Sequence, residues 1–327
     1  MAIIDHKGFV RGTVGPSVFR KYREKNIIQS KPRKHKLTAN TLTSAAEFGL
    51  ISSAAATMRY AFEPAYGYSD GKLNGRAFSA ISKCIRNSSG TISGQRDLHD
   101  ADLSYLEGLE FNMNSQLSET FLIKPQISKT DEDKIIISMP ALDMRSTFKK
   151  PRSLARKGNL VRIRFLLVAF NYRQNFFEYI DNQETDYFEY KMAESRTIIM
   201  NGSAPEGCLL MLSMSLSLYG DNILDKSRVL LNSTEFSPSA IIATWQNDPT
   251  PLHMDPAPAE EAKDYRSYMD YAGNRLIAEL PRRIARFARP DKTGKGSGTY
   301  TSAKTKVRPP EQFKEKPNIQ VGKRISF

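Results

Sequence analysis

The sequence predicts an α+β chain dominated by β-structure: an antiparallel β-sandwich or jelly-roll-like body with N-terminal helices, a C-terminal helix and extended basic arms. Three observations carry this. First, Leu210, Leu212, Met214, Leu216 and Leu218 alternate with Met211, Ser213, Ser215, Ser217 and Tyr219, the period of a strand with one buried and one wetter face. Second, the other strand-like runs are separated by turn signals (Asn201-Gly202, Pro205-Glu206-Gly207, Gly220-Asp221-Asn222, Ser237-Pro238) instead of regular helices, which favours antiparallel pairing. Third, the net charge of +13 sits at the ends: residues 1–36 carry +8, residues 290–327 carry +6, and the body between them is nearly neutral at −1.

With 327 residues, 40% of them hydrophobic, the chain has material for one large domain or two ordinary ones. No run approaches the roughly 18 apolar residues of a membrane span, and Met1 to His6 lacks the basic-then-apolar order of a secretory signal. The expectation is a cytoplasmic protein, or one in a particle assembled from the cytoplasm. Cys84 and Cys208 lie far apart without metal-ligand spacing, so each is expected as a small buried residue in a reducing compartment.

Residues 1–36 form a basic N-terminal arm or hairpin. Gly8, Gly12 and Gly15 permit turns or close approach, Pro16 fixes the turn after Gly15, and Ser17 to Tyr22 and Asn26 to Ser30 have strand character closed by Lys31-Pro32. Arg11-Gly12, Gly15-Pro16-Ser17-Val18, Lys25-Asn26 and Gln29-Ser30-Lys31-Pro32 resemble the opening of a bacterial family of uncharacterised proteins with an N-terminal G-x-x-G-x-V…G-K…R-S-K-P signature. The resemblance covers about the first sixty residues, with Glu24 and Gln29 where the family tends to carry Gly and Arg. It implies a bacterial setting and no mechanism.

Residues 37–110 are expected to be mainly helical. Leu37 to Phe62 is Ala-rich with Leu42, Ala45, Ser52, Ala55 and Met58 at helical spacing, capped by Thr38 or Asn40 and ended by Pro64. Its small residues suit close packing inside the body, or an oligomer contact. Arg76 to Arg86 is a second amphipathic helix with Phe78, Ile81 and Ile85 on one stripe. In the acidic stretch that follows, Leu98, Leu103, Leu106 and Leu109 form an apolar helical stripe that leaves most carboxylates solvated, and His99 beside Asp97 and Asp102 is a poor ligand set.

Residues 111–247 form the β body. Glu119 to Ile127, an edge strand because of Pro125, and Lys134 to Met139 suggest a hairpin. The cluster Lys149-Lys150-Pro151-Arg152 with Arg156-Lys157 fits a charged inter-strand loop or a third anion contact. Asn159 to Tyr172, Thr197 to Asn201 and Ala240 to Gln246 are further strands. Asn175 to Tyr190, rich in aromatic and acidic residues, is expected to be an excursion packed by its own rings, its acidity a complement for a basic arm of a neighbouring copy. A carbohydrate or base-stacking platform is the alternative.

Residues 248–289 divide into a Pro-rich linker, Asp248 to Ala259, and a helix from Glu260 to Glu279 broken by Pro281. Residues 290–327 form a basic tail, flexible until it meets a partner. Gly294-Lys295-Gly296-Ser297-Gly298 fails the spacing of a phosphate loop, no Gly-x-Ser-x-Gly elbow occurs, and the four histidines share no ligand or triad spacing. No catalytic, cofactor or metal residues are therefore assigned.

Two function classes fit. One is a non-catalytic structural or assembly protein, possessing arms that dock on neighbouring subunits or an acidic partner, as in a phage-like or other bacterial particle built in the cytoplasm. The other is a nucleic-acid-associated protein that binds phosphate through the same arms. The residues assigned to partner or anion binding are Arg11, Arg20, Lys21, Arg23, Lys25, Lys31, Arg33, Lys34 and Lys36 at one end, and Lys304, Lys306, Arg308, Lys323 and Arg324 at the other.

Overall fold

The structure, a computed structural model, describes residues 2–22, 24–31, 37–88, 93–155, 158–188, 191–222, 225, 227–246 and 266–288. Within them the fold is β-dominated and antiparallel, with a few helices. The chain opens with β1 (Ala2–Ile4), β2 (Val10–Val14), β3 (Ser17–Tyr22) and β4 (Lys25–Ser30), a four-stranded meander in sequence order. Then come α1 (Ala39–Tyr66) and α2 (Leu73–Arg86). Thr38 caps α1, its hydroxyl accepting from the Thr41 N–H.

The body is built on β8 (Gly158–Asn171), β9 (Phe176–Phe188) and β12 (Leu209–Asp221), which pair antiparallel along their length with β8 central. On β8, Val161, Ile163, Phe165, Leu167 and Ala169 face one layer while Leu166, Val168 and Phe170 face the other. The first face packs against a three-stranded sheet of β5 (Gln126–Lys129), β6 (Lys134–Met139) and β11 (Arg196–Asn201), in the order β11-β6-β5, through Ile135, Ile137, Met139, Ile198 and Met200. A two-stranded ribbon, β7 (Leu142–Asp143) with β10 (Met192–Ala193), flanks it in the chain. The second face lies under α1 and α2, against Leu50, Ala54, Met58, Phe62, Ile81 and Ile85. β13 (Arg228–Leu230) and β14 (Ser239–Gln246) share the far edge of β12, and β15 (Arg266–Tyr268) pairs with β9. Finally α3 (Gly273–Ala288) lays Leu276, Leu280 and Ile284 on Leu42 and Ala46 of α1.

Several local expectations change. The aromatic and acidic segment from Asn175 is no self-packed excursion: β9 is a full strand of the main sheet, and two of its acids, Glu184 and Asp186, lie across from arginines of β8. Arg162 and Asp186 meet at 2.7 Å, and Arg164 and Glu184 at 2.5 Å. Those two carboxylates are therefore already paired within the chain. Glu119 to Ile127 divides into a helical turn, Leu117–Thr120, and β5, which begins only after Pro125 because proline lacks the ladder N–H. The stretch after Asp97 forms two short 3₁₀ turns, Leu98–Asp100 and Leu103–Leu106, in place of one helix. Leu98, Leu103, Leu106 and Leu109 are all buried as foreseen, but so are Asp97 and Glu110. Neither proline stops its helix: α1 runs two residues beyond Pro64, and α3 continues through Pro281 because its apolar stripe is held by α1. The helix placed at Glu260 to Glu279 thus lies further along the chain, with Met269 and Tyr271 buried ahead of it. Neither Cys84 nor Cys208 forms a disulfide, and both are buried. The linker 248–259, the Gly-rich 294–298 and the tail 290–327 lie outside the described residues, and no helix among those described is long and apolar enough to cross a membrane.

Candidate interaction surface

The N-terminal sheet follows from its turns. Asp5 closes the first, its side chain accepting from the Lys7 and Phe9 N–H groups at 2.9 Å while the Gly8 N–H reaches the Asp5 carbonyl. Gly15, at φ 54, precedes Pro16 in a two-residue turn between Val14 and Ser17, the type with glycine at its first central position. Pairing then places Ala2, Gly12, Phe19 and Ile28 in one row and Ile3 and Arg11 in the next, so adjacent rows point to opposite faces.

None of the sheet's described residues is buried. Ile4 (70% exposed), Ile28 (65%) and Val14 share one face with Val10 and Phe19, and Ile3 (67%) and Tyr22 lie on the other with Arg11, Arg20 and Lys25. One face is therefore mainly apolar with Lys21 on it, and the other mixes Arg11, Arg20 and Lys25 with Ile3, Val18, Tyr22 and Ile27. A small sheet gains its stability from covering an apolar face, and this one leaves Ile3, Ile4, Val14, Tyr22 and Ile28 exposed.

The predicted anion-binding residues divide into two groups. Arg11 on β2, Arg20 and Lys21 on β3, Lys25 on β4 and Lys31 just beyond it come together on this element. Arg23, Arg33, Lys34, Lys36, Lys304, Lys306, Arg308, Lys323 and Arg324 lie outside the described residues. Neutralisation within the sheet is slight. Glu24 pairs with Lys21 at 3.4 Å, Lys21 also sits 3.8 Å from the Phe9 ring centre, and Asp5 approaches Arg11 only to 4.0 Å.

Two other places concentrate polar chemistry, and both are structural. Asp97 accepts two hydrogen bonds from the Arg173 guanidinium, at 2.7 and 3.1 Å, and caps the turn that carries His99. The His99 Nε2 accepts the Tyr172 N–H at 3.0 Å; burial first, and then the Arg173 charge, depress its pKa to about 3. A neutral, enclosed imidazole acting as acceptor cannot exchange protons with a substrate. The turn chemistry of Asp97 was legible in the sequence, but its pairing with Arg173 was not, because the two are distant in the chain. The second place is a cleft of about 480 Å³ lined by Phe121, Ile123, Pro125, Ile127 and Ile242, with Glu110 among its walls. Both Glu110 oxygens accept backbone N–H groups, from Leu117 and Ser118, so this carboxylate holds the local turn. Of the basic loop near residue 150, Lys150 donates to the Gly158 carbonyl at 2.6 Å, an internal role.

No family model, curated protein or solved structure matches this chain.

Proposed function

We propose that this chain is a non-catalytic structural or assembly protein whose N-terminal sheet docks on a neighbouring subunit, in a particle assembled in a bacterial cytoplasm. The observation that supports the reading is a complete four-stranded sheet without one buried described residue, joined to a body that has two well-packed cores. Burying an isoleucine is favourable by about 1.5–3 kcal/mol, so covering Ile4, Ile28 and Val14 supplies several kcal/mol of association energy that the isolated chain forgoes. The sheet's Arg11, Arg20, Lys21 and Lys25 add long-range attraction to an acidic partner surface.

The test is the mass of the purified full-length protein, measured by light scattering after nuclease treatment, against Ile4→Ser/Ile28→Ser. The reading expects large species from the parent and a collapse towards the monomer for the variant, with an unchanged melting profile. A monomeric parent, or equal assembly of the two, overturns it.

A further inference from the structure

We infer that the apolar cleft beside β5 accepts residues 319–327 of a second copy as an added strand. β5 is the end strand of the order β11-β6-β5, and the hairpin that follows it fixes its backbone phase. The Thr130 N–H donates to the Lys134 carbonyl at 2.8 Å, so the pairs that share hydrogen bonds with β6 are Ser128–Ile136 and Gln126–Ser138. Ile127 lies between them, opposite Ile137, and turns its N–H and C=O away from β6. No other described strand takes them up. The far wall differs, because the outer edge of β14 is already occupied. The Gly108 and Phe111 N–H groups donate to the Ile241 and Ser239 carbonyls, and the Ile241 N–H donates to the Leu109 carbonyl. The cleft of about 480 Å³, lined by residues of both walls, thus has one finished edge and one open edge.

The lining selects an extended chain with one apolar face. Ile123 and Ile127 from one wall, and Met214 and Ile242 from the other, form a row that alternate side chains of a strand can fill. Of the longer stretches outside the described residues, 248–259 is broken by prolines, which cannot donate to a ladder, and 289–318 holds few apolar residues. In 319–327, by contrast, Ile319, Val321, Ile325 and Phe327 fall on one parity, and Gln320, Gly322, Arg324 and Ser326 on the other. Charge agrees with this choice. Lys323 is the one charge in the apolar row, and the charged lining of the cleft is Glu107 and Glu110 against Lys124. Strand addition uses main-chain bonds to an open edge and seats alternate side chains in the groove beside it. Because Pro125 has no N–H to offer, the shared ladder is short, and the seated side chains supply most of the affinity. That the segment comes from a neighbour rests on the assembly reading; that it fits the cleft does not.

The experiment titrates a fluorescently labelled peptide of residues 317–327 into full-length protein and follows anisotropy. The protein carries Val321→Asp/Ile325→Asp, so that its own segment does not compete. Saturable binding is expected, weaker by roughly tenfold or more when the peptide bears Val321→Asp/Ile325→Asp, and nearly unchanged when it bears Gln320→Ala/Ser326→Ala. N-methylation of alternate peptide amides reads the edge directly. One alternate set should lose binding by roughly tenfold or more and the other should be tolerated, since only one side of the added strand meets β5. Ile127→Pro in the protein, which deletes the outward N–H, should match the damaging set, and the N-methylated peptides make the same test on an unaltered edge. No binding, equal effects of the two N-methylated sets, or indifference to Val321→Asp/Ile325→Asp would overturn the inference. Light scattering separates it from the assembly reading. The full-length Val321→Asp/Ile325→Asp protein should form smaller species than the parent. A large parent whose cleft ignores the peptide overturns this inference and leaves assembly standing, whereas a monomeric parent whose variant binds the peptide overturns the exchange between copies.

Discussion

The two large antiparallel sheets use the same local geometry to opposite ends. In the central sheet, β8 and β12 place apolar side chains on both faces, and residues such as Leu167, Leu210, Leu212 and Leu218 have no exposed surface. In the N-terminal sheet, none of the described residues is fully buried. Pairing satisfies the backbone in both, so hydrogen bonding does not separate them; burial does. The difference teaches that this protein keeps its stability in one sheet and offers the other as surface.

The largest test of that division strikes the central sheet. Leu212→Asp or Met214→Asp should abolish soluble expression, because an unpaired carboxylate between two layers costs several kcal/mol out of a typical domain stability of about 5–15 kcal/mol. Ser217→Asp should be mild: Ser217 is half-buried and sits opposite Arg162. Ser215, which the alternation alone would offer as the mild control, is buried and should be sensitive. Comparing expression and thermal melts across these four positions checks the face assignment.

Next in size is the buried ion pair. Asp97→Ala should lower stability by about 3 kcal/mol, since it removes the two-bond partner of Arg173, whose side chain is 7% exposed and keeps Asp100 at 3.0 Å, and uncaps the turn at His99. Asp186→Ala, at a pair about one-third exposed, should cost about 1 kcal/mol or less. Urea unfolding of the two variants measures the contrast.

His99 supplies a pH dependence of intermediate size. Its folded pKa lies below the ordinary 6.5, so between pH 6.5 and about 3 the unfolded chain binds a proton that the folded chain refuses. Stability from this group is therefore full above pH 6.5 and falls as the pH drops, by about 2 kcal/mol at pH 5. His99→Gln, which retains an acceptor for the Tyr172 N–H, should flatten that part of the profile in urea melts across pH.

The smallest stability effect belongs to the N-terminal sheet. Substituting Gln for Lys25 and Lys31 together should shift the unfolding midpoint of the dispersed protein by less than about 0.5 kcal/mol, as expected for surface positions away from caps and cores. A loss comparable with that of Asp97→Ala would make this sheet an integral part of the body and erase the comparison.

Much of this division was legible in residue order. The alternation at Leu210 to Leu218, the continuous apolar run ending at Phe170 and the Phe78, Ile81, Ile85 stripe report burial directly, because periodicity is a local consequence of facing one core. The sequence by itself also determined where the charge lies, and that Ser17 to Tyr22 and Asn26 to Ser30 have strand character. Only the tertiary structure decided what depends on distant partners. Glu184 and Asp186 look like a free acidic face until β8 brings Arg164 and Arg162 across from them. Asp97 looks solvated until Arg173 arrives from beyond β8, and Pro281 looks like a helix breaker until α1 holds the stripe on either side of it. Periodicity is written in neighbours along the chain, whereas pairing energy belongs to contacts that chain order does not record.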